Sequence, residues 1–228
     1  MDDKRKYVKY IVCLIIIPMI LIIGYKAFGE KRYAFITMAI AVCSVIPFAL
    51  RFENKKGSTE RMVILSVMIA LCVVLRYCFS MLPHFKPVTA LVVITGIYMG
   101  GETGFLCGAF SAVLSNFIFG QGPWTPFQMF AWGMTGLVAG IFSKYLKKSR
   151  IWLCIYGAAS GIMYSLIMDI WTAMWQEGVF NIKRYIACVV TSLPVMAIYI
   201  VSNIIFLWLM AKPIGEKIER VKKKMNMN

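Results

Sequence analysis

The sequence predicts an all-α integral membrane protein of about eight transmembrane helices, a six-helix core preceded by a two-helix N-terminal hairpin. Three observations predict it. Hydrophobic residues make up 60% of the 228, against roughly 45–50% in an average soluble domain. Charged residues are only 15% and fall in short clusters between apolar runs. Most of those runs approach or exceed the roughly 20 apolar residues that cross a bilayer as a helix.

Taken in order, the apolar runs cover approximately 8–24, 33–50, 62–82, 87–100, 103–119, 127–143, 151–174 and 185–211. The first has a basic flank (Lys4, Arg5, Lys6, Lys9) and is followed by Tyr25-Lys26-Ala27-Phe28. No small-residue cleavage site follows it, so it reads as a retained helix rather than a signal peptide. The second closes the hairpin. The linker Arg51 to Arg61 is the one polar stretch in mid-chain. The fourth run is short, and Pro87 caps its start. The last leads into a short basic tail. The organisation expected is therefore 1–61 hairpin and linker, 62–211 core, and 212–228 tail, the tail acting as a solvated anchor near anionic lipid.

Lysine and arginine give the orientation. With the N-terminus inside, 18 of the 25 fall on the cytoplasmic side and six outside, with Arg76 left inside a helix. That asymmetry predicts a multi-pass protein of the cell membrane with both termini cytoplasmic.

Several function classes drop out. The net charge of +15 sets topology, so it does not signal nucleic-acid binding. All seven cysteines lie in apolar runs, there is no CxxC pair, and His84 is the single histidine. A disulfide framework, a protein-built metal site and a resident cofactor are not expected. No Ser–His pair, no second core aspartate and no GxxxxGK[ST] phosphate loop is present, so the chain reads as neither an intramembrane protease nor an ATPase. An ion-coupled secondary carrier is the remaining alternative of another class.

Within the core, Gly96/Gly100, Gly104/Gly108, Gly136/Gly140 and Gly157/Gly161 are GxxxG pairs, which let helix backbones approach in lipid. Arg76 and Asp169 are ionisable groups inside core helices, each about six residues, or roughly 9 Å, from the outer end. A carboxylate at that depth needs a partner or a cavity. The two residues either pair with each other or face a cavity open to the outside, and the readings are compatible. The outer loops are rich in Gly, Pro, Trp and amide side chains, a composition suited to a pocket.

The runs Phe85-Lys86-Pro87-Val88-Thr89, Gly100-Gly101-Glu102-Thr103-Gly104-Phe105, Ser115-Asn116-Phe117 and Phe119-Gly120-Gln121-Gly122-Pro123-Trp124-Thr125-Pro126 resemble the S components of energy-coupling factor (ECF) transporters. These are the membrane subunits that capture vitamins. The resemblance covers residues 62–211 and leaves the N-terminal hairpin outside it. It implies that the chain is no enzyme and binds its vitamin from outside through three outer loops. It also implies delivery of the vitamin inward with a transmembrane coupling subunit and two ATPase subunits. The Gly-Gln-Gly-Pro-Trp-Thr-Pro run resembles the cobalamin or corrinoid branch, with riboflavin or another vitamin as the alternative.

On that reading Trp124, Phe127 and Trp175 cover the ligand's apolar face. Asn116, Gln121, Thr125 and Gln128 bond its polar rim, and Arg76, His84, Lys86 and Asp169 complete the site. His84 is expected to be hydrogen-bonded rather than a metal ligand. Ser66 and Ala70 match the small-residue spacing with which the family docks its coupling subunit. Val74 stands at the next step, so that motif is incomplete.

Overall fold

The computed structural model describes residues 58–177 and 180–225. The N-terminal hairpin and most of its linker lie outside them, so the count of eight helices rests on residues not described. The described residues form seven helices and no strand: α1 (Ser58–Cys78), α2 (Val88–Met99), α3 (Gly101–Phe119), α4 (Thr125–Ile141), α5 (Ser143–Lys148), α6 (Arg150–Glu177) and α7 (Ile182–Lys224). Six of them coincide with the six apolar runs of the expected core. The seventh, α5, is a single basic turn and a half in what reads as a loop. Among the described residues α1, α3, α6 and α7 are long and apolar enough to cross a membrane.

The short run is the centre of the bundle. α2 has 12 residues, of which only Tyr98 is not buried. A helix that is apolar all round has no face to offer water and belongs inside. At 1.5 Å per residue it spans about 18 Å, well short of a hydrocarbon core of about 30 Å. The other helices enclose it. Leu91, Ile94, Phe105, Leu106, Leu137 and Leu207 are among the largest fully buried side chains. Large apolar side chains elsewhere, such as Val67, Val74, Phe117, Ile151, Val190 and Leu209, point outward, as suits a surface solvated by lipid.

Glycine explains how α2, α3 and α4 come so close. A Cβ on Gly96 or on Gly104 would strike the carbonyl of Gly136, and one on Gly136 would strike the backbone of Gly104. One turn further, a Cβ on Gly140 would strike Gly101. Gly157 and Gly161 bring α6 against Asn203, Leu207 and the Tyr199–Ile200 backbone of α7 in the same way. The exception among the GxxxG residues is Gly100. It has open space around it and a φ of +98°, so it supplies the bend between α2 and α3, a conformation that side chains disfavour.

The helix α7 does not end at 211. It runs 43 residues through Pro194 and Pro213, about 64 Å, roughly twice a bilayer's hydrocarbon core. Its last turns carry Lys217, Arg220 and Lys222–Lys224, so the segment read as a tail is continuous with the final apolar helix.

Candidate ligand-binding site

The segment Phe79–Pro87 joins α1 to α2 at one end of the bundle. Beside it lies a cavity of about 190 Å³ lined by Arg76, His84, Lys86, Gln128, Trp132, Tyr164 and Tyr199, with Val88 and Thr89 at its base. Four of these were candidates from sequence. Trp132, Tyr164 and Tyr199 were not. Each sits inside an apolar run, where an aromatic ring reads as ordinary core or lipid contact. Their convergence depends on how α4, α6 and α7 pack.

These rings form one side of the cavity. Trp132 stacks on Tyr164 with centroids 5.6 Å apart and planes 18° from parallel. Tyr164 meets Tyr199 edge-on at 5.0 Å, and Tyr199 meets the His84 ring edge-on at 5.5 Å. The Arg76 guanidinium lies over the rings of Phe119 and Trp132, at 4.7 and 5.2 Å, and the Lys86 ammonium lies 4.9 Å over Phe119. The cavity thus has aromatic walls and two cations, and no carboxylate lines it.

Arg76 is held by a buried polar relay. Its Nη1 donates to Ser115 Oγ and to Asn116 Oδ1 at 2.8 Å. Asn116, 1% exposed, donates from Nδ2 to Gln128 Oε1 at 2.8 Å and to Thr125 Oγ1 at 3.0 Å. Gln128 Nε2 donates to the Tyr164 hydroxyl at 3.1 Å. Thr125 Oγ1 donates to Gln121 Oε1 at 3.0 Å, and Gln121 Nε2 donates to the Val113 carbonyl at 2.8 Å. Buried amides are costly unless paired, and here they pair with one another. Asn116, Thr125 and Gln121 therefore hold the site together and do not line the cavity. Gln128 does both, as do Arg76 and Tyr164 at the ends of the relay.

The remaining candidates lie elsewhere. Trp124 is partly exposed and folds its ring over Gly122. Phe127, Trp171 and Trp175 form a separate ladder with centroids 5.5 and 5.2 Å apart, and Trp175 is exposed. Asp169 does not meet Arg76. It accepts a hydrogen bond from Ser192 Oγ at 2.6 Å and lines a wider, open cleft between α6 and α7 with Thr172, Thr191 and Ser192. Of the two readings for this charge pair, facing a cavity is the one the geometry supports, and each residue faces its own. Ser66 and Ala70 are both exposed on the outward side of α1.

His84 adopts a φ of 60°, uncommon for a residue with a side chain, and its Nδ1 lies 3.0 Å from the Tyr199 hydroxyl. Burial, and then the neighbouring Lys86 charge, push its pKa below the ordinary value of 6.5. Burial, and then Arg76, likewise lower that of Lys86. For a depressed imidazole, the unfolded chain takes up its proton first as the pH falls. Stability is therefore full above about pH 6.5 and declines below it. Thermal unfolding between about pH 5 and pH 8 should show this decline, and His84→Gln should flatten it. A slope unchanged by the substitution would assign it to other groups.

A family model described as ECF-type riboflavin transporter, S component, matches residues 56–219. Comparison with curated proteins and with solved structures finds no match. The matched span takes in the whole cavity and every helix described, except the last turn of α7 beyond residue 219. Its description names riboflavin and lends no support to the corrinoid branch. A membrane subunit that captures a vitamin, with ATPase and coupling partners in place of any catalytic machinery of its own, is what the sequence resemblance implies, and on this match the chain belongs to the ECF-type riboflavin transporter S component family.

Proposed function

We propose that the chain captures riboflavin, or a close flavin relative, in the Arg76–Trp132–Tyr199 cavity from the outer face of the cell membrane. It then hands the ligand inward when the coupling subunit and two ATPase subunits act on it. The observation that carries this reading is the pairing of aromatic walls with two cations and an amide at a cavity of about 190 Å³. A fused heteroaromatic ring offers a flat π-face to Trp132, Tyr164 and Tyr199. Its carbonyl oxygens and ring nitrogens accept hydrogen bonds from Arg76, Lys86 and Gln128. The family description points the same way. The lysine and arginine asymmetry supports an outward-facing opening, and the exposed small residues Ser66 and Ala70 support docking of the coupling subunit along α1.

The test is the visible spectrum of the protein purified from a vitamin-rich medium, followed by titration with riboflavin monitored by quenching of flavin fluorescence. A bound flavin spectrum is expected, together with saturable quenching that Tyr199→Phe and Lys86→Met each weaken about tenfold, or about 1.4 kcal/mol. A bound corrinoid spectrum, or no quenching at any riboflavin concentration, would overturn the assignment of ligand.

A further inference from the structure

At the opposite end of the bundle from His84, α2, α5, α6 and α7 enclose a second cavity of about 250 Å³. Its floor is apolar, with Ile97, Leu153 and Leu207 among the residues, and its mouth carries three cations, Lys147, Arg150 and Lys212, against one carboxylate, Glu216. The geometry points to a binding site for an anionic phospholipid, its phosphate held by Arg150 and Lys212 at the mouth and an acyl chain leaving along α7.

The charges at the mouth are unequally used. Lys147 is paired with Glu219 at 3.1 Å and lies 4.5 Å over the Tyr98 ring. Its role is to tie α5 to α7. Tyr98 is itself pressed onto Gly215 of α7, and Lys222 Nζ donates to the Tyr98 carbonyl at 3.1 Å. These contacts make the wall rigid. Lys212 reaches Glu216 only at 4.0 Å, with both side chains largely exposed, a pair of little strength in water. Arg150 meets no carboxylate in any ion pair among the described residues and lies 5.1 Å over the Trp208 ring. A guanidinium placed this way keeps donors free for a phosphate, which it binds well.

The apolar surroundings decide between sources of phosphate. Trp208 and Leu209 are 48% and 62% exposed, so the cavity floor continues into the lipid-facing side of α7 without a polar break. A free phosphate gains nothing from that surface. An acyl chain packs against it by van der Waals contact, as lipid does along any outward helix face, and so keeps its headgroup beside the basic mouth. Tryptophan beside clustered basic residues is also the composition of a membrane–water interface.

The full chain in neutral detergent is titrated with phosphatidylglycerol, with phosphatidylcholine of the same chains, and with glycerol 1-phosphate. Thermal unfolding is followed throughout. Phosphatidylglycerol should raise Tm by about 5 °C more than phosphatidylcholine at saturation, and glycerol 1-phosphate should not. Arg150→Gln with Lys212→Gln should abolish the difference. Lys144→Gln with Lys148→Gln removes the same charge from exposed positions outside the cavity and should leave the difference in place. Equal shifts from both phospholipids, an equal shift from glycerol 1-phosphate, or equal loss in both double variants would each overturn the site. If the first double variant fails to fold, Lys212→Gln alone, at an exposed side chain, must still reduce the difference.

Discussion

Replacing Asn116 with leucine should lower riboflavin affinity by about 10- to 100-fold, although Asn116 does not line the cavity. The residue is the junction of the buried relay. It accepts from Arg76 and donates to both Thr125 and Gln128. Hydrogen bonds to a charged group contribute about 1.5–3 kcal/mol. Loss of this one leaves Arg76 with Ser115 as its only hydrogen-bond partner and frees Gln128 Oε1 inside the protein. The guanidinium is then no longer fixed over Trp132, and the cost appears as affinity. Fluorescence titration of Asn116→Leu, Arg76→Met and the double variant tests the mechanism. If Asn116 acts by positioning Arg76, the double variant should be little worse than Arg76→Met alone. Additive losses would mean that Asn116 serves the ligand by another route.

The largest effect on folding is expected at Gly136. A valine there would drive its Cβ into the Gly104 backbone, where α2, α3 and α4 meet at Gly96, Gly104 and Gly136. Overpacking against side chains costs about 1–3 kcal/mol because they can turn aside. Backbone cannot turn aside, so three helices would have to separate and take the central helix α2 with them. Gly136→Val should give no monodisperse protein by size-exclusion chromatography. Gly120→Ala offers the contrast: its surroundings are open and only its φ of +98° is strained. That variant should fold with a loss of about 1–3 kcal/mol. Folded Gly136→Val protein would show that the helix contact is looser than described.

Much of the architecture was legible along the chain because the bilayer constrains it in one dimension. Apolar length, loop charge and glycine spacing are local properties, and they predicted six core helices, their order and the tight packing that Gly104 and Gly136 provide. The same reasoning gave the last apolar run, 185–211, but not the helix that continues past it. Hydropathy falls at Lys212, while hydrogen bonding carries the helix on to Lys224. α2 read as an undersized span, and its central position followed only from what surrounds it.

The candidate site divides along the same line. Arg76 and Lys86 stood out as charges in or beside apolar runs, and Gln128 and Asn116 as amides near an unusual loop. All four belong to the cavity or to the relay that holds it. Trp124 and Trp175 stood out for the same reason, yet they sit outside. Trp132, Tyr164 and Tyr199 were invisible, because an aromatic residue within an apolar run carries the same local signature whether it faces lipid, core or ligand. By itself the sequence determined a membrane bundle with its charges sorted and its close contacts marked by glycine. The tertiary structure alone decided that Arg76 and Asp169 face different cavities and that three rings from three helices share one wall. Both depend on the rotation of each helix about its axis, which packing against neighbours sets and hydropathy does not record.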